Sequence, residues 1–397
     1  MSQLPPNANA ATVMEQPTPT ALPDDARILI VRLASLGDLL LVTPALRALR
    51  RRYSSARIDL LTTASTAHLM QDSPLLDTVI PLEKYTFDYP SDILRRPDRL
   101  LALAPFAAGL RHTRYDATLL MSHLTLPFGR LKYRALLATV GSPRRVGLDN
   151  GSGADLLNVR VPDAGFGALH EAEYALALAA AVDAPAPTPA DRRLELADLG
   201  WHIPPPMAPT AGNAPHIALH PGGGAYSLAR RWPLERYAAL ALALRDETGA
   251  TFTLVGGPEE GVLQTRLLGM LGYPDWATPL AGETTPRELA KHLASCDLFL
   301  GNDSLPMHLA TAVGIPVVAI FGPSNAAAWG PYAPEEPQRV IVVRRDDLVC
   351  SPCFYRGHSL GTPQGCPPRP CLTELGIAPV LTAAHRLLAP PDDPPGD

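Results

Sequence analysis

The segment 298–321, LFLGNDSLPMHLATAVGIPVVAIF, holds two apolar runs separated by a stretch with helical spacing. We predict a strand over 298–301, a helix over 306–313 and a strand over 317–321, because short apolar runs bounded by Gly and Pro are typical of buried strands. A strand, a helix and a second strand in this order form a parallel β-α-β unit. The segment therefore predicts an α/β fold.

The same alternation continues in both directions along the 397 residues. It breaks across the Pro- and Ala-rich stretch 183–215 and then restarts, which indicates two α/β halves of similar design joined by a hinge. In the first half we predict strands over 27–33, 57–62, 77–81 and 116–121, and a helix over 38–52. In the second half we predict further strands over 216–220 and 251–256, and further helices over 233–248 and 285–295.

Composition limits the class of protein. Apolar residues make up 46% and charged residues 18%, which fits a globular chain, and a net charge of −5 argues against a general nucleic-acid binder. Residues 1–24 contain no Lys or Arg and no apolar core, so they do not form a secretory signal. No apolar run approaches the ~18 residues of a membrane span. We expect a cytoplasmic protein.

Five polar segments each follow a predicted strand. Asp38 stands at a strand-to-helix turn, where it is either a helix cap or a carboxylate that accepts a proton from a hydroxyl. Gly222 and Gly223 allow close backbone approach, and Arg230 follows them as a cation suited to phosphate. Glu259 is either a ribose ligand or an acid at a helix start.

The fourth segment is 301–308, where a strand ends and a helix begins. The free N–H groups of that helix start could bind an anion, and Asp303 could cap the helix or bind sugar hydroxyls. His308 lies one turn into the helix, where a lone histidine is more often structural. The fifth segment is the turn 321–324, FGPS.

Taken in order, these segments resemble glycosyltransferase family 9, the ADP-heptose lipopolysaccharide heptosyltransferases. The resemblance runs from Ile28 to Leu372 and is densest over Leu280–Pro331, which contains LAG, GNDS, PMHLA, FGPS and WGP. It implies the GT-B fold, with two Rossmann-like domains facing a central cleft. It also implies transfer of heptose from ADP-heptose with inversion, to the lipopolysaccharide inner core and with no cofactor required for catalysis.

The resemblance implies a role for each candidate residue of these segments. Asp38 matches the general base, and Arg230 stands where the family usually has a Lys that contacts the donor phosphate. Glu259 matches the acid that binds the donor ribose, and Asp303 matches the acid that holds the donor sugar. The remaining donor-binding positions are Gly222, Gly223, Ser304, Leu305 and His308, and Leu305 departs from the usual Gly.

Composition and the resemblance together give the expected units of the chain. They are a disordered extension over 1–24, an N-terminal acceptor-side domain over 25–185, a Pro-rich linker over 186–214, a C-terminal donor-binding domain over 215–388 with a Cys-rich segment over 350–371, and a flexible tail over 389–397. An anionic lipid-linked acceptor would suit the basic stretch 111–145, although such a stretch is also typical of a solvated surface. Peripheral contact with the inner membrane is an open alternative. The acceptor-binding candidates are Arg111, Arg114, Arg130 and Lys132.

Four clustered cysteines have the spacing C-x2-C-x12-C-x4-C, close to that of zinc knuckles and ribbons. They are Cys350, Cys353, Cys366 and Cys371. A structural zinc or iron ion and plain buried thiols both fit this pattern. Cys296 is expected in the core.

Other functions stay open at this point. Some members of the family transfer heptose to serine residues of exported proteins and carry a cysteine-coordinated iron, so a bound metal would favour a protein acceptor. A non-catalytic nucleotide-sugar binding protein is a further alternative. The absence of GxGxxG after the first strand opposes an NAD-dependent dehydrogenase.

Overall fold

The computed structural model describes residues 18–83, 97–151, 155–185, 188–207, 213–224 and 227–389. The N-terminal domain has a sheet of six parallel strands in the order β3-β2-β1-β4-β5-β6. Its strands are β1 (Arg27–Val31), β2 (Arg57–Thr63), β3 (Thr78–Leu82), β4 (Ala117–Leu120), β5 (Arg144–Asp149) and β6 (Val159–Pro162). Its helices are α1 (Leu36–Leu40), α2 (Thr43–Arg52), α3 (Ala64–Ala67), α4 (Pro97–Thr113), α5 (Pro127–Val140) and α6 (Glu171–Ala180).

The C-terminal domain repeats this topology with strand order β12-β11-β10-β7-β8-β9, again all parallel. Its strands are β7 (His216–His220), β8 (Thr251–Leu254), β9 (Ala277–Pro279), β10 (Leu298–Asn302), β11 (Val317–Ile320) and β12 (Val340–Val343). Its helices are α7 (Leu234–Thr248), α8 (Gly261–Leu271), α9 (Pro286–Leu293), α10 (Leu305–Val313), α11 (Ala326–Trp329), α12 (Pro370–Thr373) and α13 (Ala378–Leu388). Two parallel sheets with helices on both faces confirm the predicted α/β fold.

The strand β1 shows why its sequence is apolar without interruption. Ile28 and Ile30 join one buried cluster with the helices α1, α2 and α6, whereas Leu29 and Val31 join a second cluster under α4 and α5. Alternate side chains of a strand point to opposite faces of the sheet, and here both faces are covered. Each sheet reverses its strand order beside its first strand, so the loops after β1, β4, β7 and β10 line the crevice where ligands bind in such folds.

The predicted helix over 38–52 is instead two helices, α1 and α2. Pro44 lies in the first turn of α2, and a proline inside one continuous helix would lack the N–H needed there and would clash with the carbonyl of Leu40. That carbonyl accepts a hydrogen bond from the Thr43 hydroxyl at 2.9 Å. The break places Asp38 on a short helix of its own.

The segment assigned to the linker, 186–214, is not a free hinge over its described part. Leu196, Leu199 and Trp201 are buried in the N-terminal core, and Arg47 of α2 donates hydrogen bonds to Asp198. Apolar residues spaced among the prolines give this stretch a surface to pack, which composition alone does not reveal. The prediction of a linker over the whole range was therefore too broad.

The predicted disordered extension over 1–24 is also partly wrong. The Leu22 side chain is buried, and its backbone N–H donates to the Tyr53 hydroxyl at 3.1 Å. The Thr20 N–H donates to the Ala181 carbonyl at 3.2 Å. Residues 18–24 thus pack on the N-terminal domain, whereas residues 1–17 and the tail residues 390–397 lie outside the described residues.

Candidate active site

Asp38 combines both roles that its position allows. Its Oδ2 atom accepts hydrogen bonds from the Ser35 N–H at 3.0 Å and from the Ser35 hydroxyl at 2.6 Å, which fixes the start of α1. Its Oδ1 atom lies 3.3 Å from Nη2 of Arg32. The side chain remains 22% exposed. The carboxylate is therefore oriented by the loop and still open to a hydroxyl group.

Arg32 belongs to a chain of buried charges behind Asp38. Its guanidinium lies 3.7 Å from Glu171, and Glu171 lies 2.9 Å from Nε2 of His123. The other ring nitrogen of His123 lies 2.9 Å from Asp163. The side chains of Arg32, Glu171, His123 and Asp163 are all at most 7% exposed. Such a set stays folded only because each charge has a partner of opposite sign.

Burial opposes a charge on His123, but its hydrogen bonds to Asp163 and Glu171 outweigh burial and raise its pKa to about 9. Burial likewise acts against the charge of Asp163, yet the hydrogen bond and positive charge of His123 hold the pKa of Asp163 below its usual value. His123 is thus an imidazolium at neutral pH between two carboxylates. No local sequence pattern indicates His123, Asp163 or Glu171, because only the tertiary fold brings them together.

On the opposite side of the cleft, Arg230 and Asp303 form one pair. Nη1 of Arg230 lies 3.2 Å from Asp303, and Nη2 donates to the Gly223 carbonyl at 2.8 Å. Asp303 follows β10 directly and is buried. The structure therefore brings together Arg230, Gly223 and Asp303, which the sequence placed in three separate segments.

The glycines of the 222–224 loop accommodate a neighbouring carboxylate. Oε1 of Glu260 accepts the N–H groups of Gly223 at 2.9 Å and Gly224 at 3.0 Å. A Cβ atom on Gly222 would lie 1.8 Å from the same oxygen, so only glycine fits there. The N–H of Gly223, a predicted donor ligand, is therefore engaged by Glu260.

Glu260, which the sequence analysis missed, is the buried acid of this loop, whereas the predicted Glu259 is exposed. Burial opposes the charge of Glu260, but hydrogen bonds from His220 and the glycine amides lower its pKa to about 2. His220 also lies 2.9 Å from the Ser304 hydroxyl through its other nitrogen. Glu260, His220 and Ser304 thus fix the loops after β7, β8 and β10 to one another.

His308 lies between the two halves of the site. Its ring is buried, and a Cβ atom on Gly37 of α1 would lie 3.2 Å from it, so α1 and α10 approach closely across the domain boundary. Burial lowers the pKa of His308 to about 4, and the charges of Asp303, Asp38 and Arg230 also act on it. Its Nδ1 atom has no hydrogen-bond partner among the described residues. A neutral ring with a buried polar atom at this point can receive a ligand group. Leu305, at the first position of α10, is half-buried beside it.

The acceptor candidates separate into two groups. Arg130 and Lys132 lie in the first turns of α5, which begins beyond the carboxyl end of β4, on the side of Asp38. Arg111 and Arg114 lie at the end of α4 and just beyond it, before β4 starts, and therefore at the opposite edge of the sheet. A parallel sheet places consecutive helix starts and helix ends at opposite edges, so Arg111 and Arg114 are too far from the cleft to bind an acceptor there.

The Cys-rich segment spans the domain boundary. The Phe166 N–H of the N-terminal domain donates to the Gly357 carbonyl at 2.7 Å, and Nε2 of His358 lies 3.0 Å from the Asp163 carbonyl. The Ser227 hydroxyl, three residues before Arg230, donates to the Pro363 carbonyl at 2.6 Å. The segment thus contacts both the acceptor-side domain and the donor loop.

The four clustered cysteines do not form a closed ligand set. Cys371 is buried, and the other three are exposed. Burial and the neighbouring thiols raise the pKa of Cys371 to about 11. In the described part of the chain, the potential ligand atoms of His216, His292 and Cys296 do lie within 4.8 Å of one another. This group is at the far edge of the C-terminal sheet. Cys296 is a core residue, as predicted.

Among the described residues, no helix is both long and apolar enough to cross a bilayer.

The chain matches glycosyltransferase family 9 (heptosyltransferase) over residues 104–362. The chain belongs to this family. Lipooligosaccharide heptosyltransferase 2 of Campylobacter jejuni subsp. jejuni serotype O:2 is 29% identical over 175 residues, 43% of this family 9 chain and 50% of that protein. Lipopolysaccharide heptosyltransferase 2 of Escherichia coli K12 is 28% identical over 309 residues, 75% of this chain and 83% of that protein. The match thus spans half the length of the Campylobacter relative.

Solved structures confirm the GT-B fold of this family 9 chain. E. coli ADP-heptose LPS heptosyltransferase II has a TM-score of 0.60 and 24% identity, covering 91% of this chain and 98% of that one. E. coli heptosyltransferase WaaC with ADP-2-deoxy-2-fluoro heptose has a TM-score of 0.59 and 19% identity, covering 90% and 99%. The iron-containing dodecameric glycosyltransferase TibC of E. coli H10407 has a TM-score of 0.52 and 18% identity, covering 92% and 77%.

Proposed function

We propose that this family 9 glycosyltransferase moves heptose from ADP-heptose, with inversion, to the lipopolysaccharide inner core. The observation that carries the proposal is the placement of Asp38 across the domain boundary from the Arg230–Asp303 pair, with His308 between them. A carboxylate that faces a cation-and-acid pair across a cleft suits a base and a nucleotide-sugar site. The E. coli WaaC structure with an ADP-sugar analogue supports the donor class, and the E. coli K12 relative supports the acceptor.

Asp38 would act as the general base. Its Oδ2 atom is held by Ser35 and its Oδ1 atom by Arg32, so the carboxylate keeps one orientation while the acceptor hydroxyl approaches. As the new C–O bond forms at the anomeric carbon, the hydroxyl proton passes to Asp38 and the bond to ADP breaks. One displacement from the face opposite ADP inverts the anomeric centre.

Arg230 and the start of α10 would stabilise the departing ADP. Negative charge grows on the diphosphate as the bond breaks, and a fixed guanidinium beside a helix N-terminus stabilises that charge. Asp303 pairs with Arg230 and would hold it in place. The carboxylate of Asp303 would also accept hydrogen bonds from the hydroxyl groups of the sugar. The exposed Glu259 would bind the ribose.

The acceptor side would use Arg130 and Lys132, which lie on the cleft side of the N-terminal domain. Lys132 is already held near the Phe128 ring, with Nζ 5.2 Å from the ring centroid. Two cations at the cleft suit the phosphate or carboxylate groups of an anionic saccharide. No cofactor takes part in this scheme.

The test of the proposal is Asp38→Asn, which keeps the size of the side chain but removes the base. We expect turnover to fall ~10²–10⁴-fold while the dissociation constant of ADP-heptose stays close to that of the wild type. Asp24→Asn is the matched control, because Asp24 is 83% exposed and pairs only with Arg52 among the described residues. Wild-type turnover in Asp38→Asn would reduce Asp38 to its capping role.

A protein acceptor is the second candidate function, and a metal ion bound in the Cys-rich segment would favour it. TibC, a structural neighbour, is iron-containing. Four thiolates around one zinc or iron ion would leave no open coordination position, so the ion would be structural. The sulfur atoms would first have to move together. Elemental analysis of untagged protein decides this: below about a tenth of an equivalent of zinc plus iron, with all thiols titratable after unfolding, the metal is excluded.

A further inference from the structure

The outer surface of α4 and α5 is unusually apolar for a surface that faces solvent. Leu126, the residue before α5, is 55% exposed, and Leu131 in α5 is 58% exposed. The two helices pack against each other, and their exposed residues are together called the α4–α5 face. The further exposed apolar residues of this face are Ala104, Pro105, Ala108, Pro127, Ala135 and Ala138. Exposed apolar side chains grouped in this way are typical of a site of interaction.

The charges of α5 have one sign, whereas α4 also contains Asp98. Arg130, Lys132 and Arg134 all lie on α5, and residues 127–140 contain no Asp or Glu. Arg134 pairs with Asp155 at the edge of the face. An apolar helix surface with a basic border is typical of a helix that lies in the interface of an anionic membrane rather than across it.

This face also adjoins the acceptor side of the cleft. Tyr133 of α5 is hydrogen-bonded to Ser122 and is close enough to Arg32 to be affected by its charge. Arg32 in turn holds Asp38. Leu126 and Leu131 therefore stand at the end of the domain where the acceptor hydroxyl would enter.

We propose that the apolar face of α4 and α5 docks on the surface of an anionic lipid bilayer. Leu126 and Leu131 insert among the upper acyl carbons, and Arg130 and Lys132 contact the headgroups. Docking in this orientation brings the rim of the cleft to the membrane, where a lipid-linked saccharide presents its sugar. The inference rests on the proposed lipid-linked acceptor, which supplies the reason for the contact.

The experiment is sedimentation of the full chain with vesicles. We compare phosphatidylcholine vesicles with vesicles that contain about one third phosphatidylglycerol. The wild type is expected to bind the anionic vesicles, and to bind them less as salt is raised. The double variant Leu126→Ser/Leu131→Ser is expected to lower the partition coefficient about tenfold, because two exposed leucines no longer leave water.

The matched control is Val262→Ser/Met270→Ser on α8 of the C-terminal domain, whose side chains are 76% and 41% exposed. This control should bind vesicles like the wild type. Absence of wild-type binding, or equal binding by both double variants, would overturn the proposal. A third result would also overturn it. If light scattering showed a dimer for the wild type and a monomer for the leucine variant, a second copy of the chain would cover the face.

Transfer to a lipid-free acceptor separates this inference from the proposed function. If the leucine variant keeps wild-type turnover on that acceptor and loses vesicle binding, both proposals stand. If the wild type binds vesicles but transfers no heptose, the docking surface stands and the proposed function fails.

Discussion

Replacing His123 by Gln keeps a planar side chain but removes the imidazolium between Asp163 and Glu171. The pKa of His123 is about 9 in the folded protein, against about 6.5 in an unfolded chain. Because the folded value is the higher one, the proton stabilises the fold fully below pH 6.5, and this stabilisation is lost as pH rises through 9. The shift corresponds to about 3 kcal/mol in the free energy of unfolding.

Urea unfolding of the wild type and the His123→Gln variant measures this directly. We expect the difference in their free energies of unfolding to be larger by about 3 kcal/mol at about pH 6 than at about pH 10. His385→Gln is the control, since His385 forms an exposed pair with Glu247 and such pairs contribute little. A difference between wild type and His123→Gln that does not change with pH would refute the assignment of a charged His123.

Three further predictions concern the site itself. Glu171→Gln should lower turnover about tenfold with unchanged donor affinity, because Arg32 loses one of its two carboxylate partners and holds Asp38 less firmly. Wild-type turnover in this variant would show that Arg32 has no part in the mechanism. Arg230→Ala should raise the calorimetric dissociation constant of ADP-heptose and also slow transfer, and normal donor binding would contradict its role. Gly222→Ala should lower stability by about 1–3 kcal/mol because its Cβ meets Glu260, and a wild-type Tm would show that the loop moves freely.

The sequence predicted several elements of the C-terminal half closely, but it did not predict β9, β12, α8 or α13. The strand over 216–220 and the helices that became α7 and α10 agree with the structure within a residue. Buried parallel strands produce unbroken apolar runs, and glycine or proline bounds each of them, so their pattern is local. The candidates Asp303, directly after β10, and Asp38, in the short helix that follows β1, were predicted from their places beside such strands.

The residues that the sequence missed depend on contacts far apart along the chain. Glu260 and Glu259 are adjacent, and nothing local tells which of them turns inward toward His220. His123 and Glu171 are 48 residues apart and meet only through the fold. Arg111 and Arg130 belong to one basic stretch, yet the direction of each helix sends them to opposite edges of the sheet.

The two domains have the same strand order, but the segments after their first strands carry opposite charges. Asp38 follows the first strand of one domain, and Arg230 follows the first strand of the other. Two identical copies of such a domain, placed face to face, would present the same side chain twice, so that like charges would repel across the cleft. Because both domains belong to one chain, each has its own sequence, and the equivalent loops can carry different side chains. The segment after β1 then carries an anion and the equivalent segment after β7 a cation, so that under the proposed function a proton and a diphosphate would leave on opposite sides of the cleft.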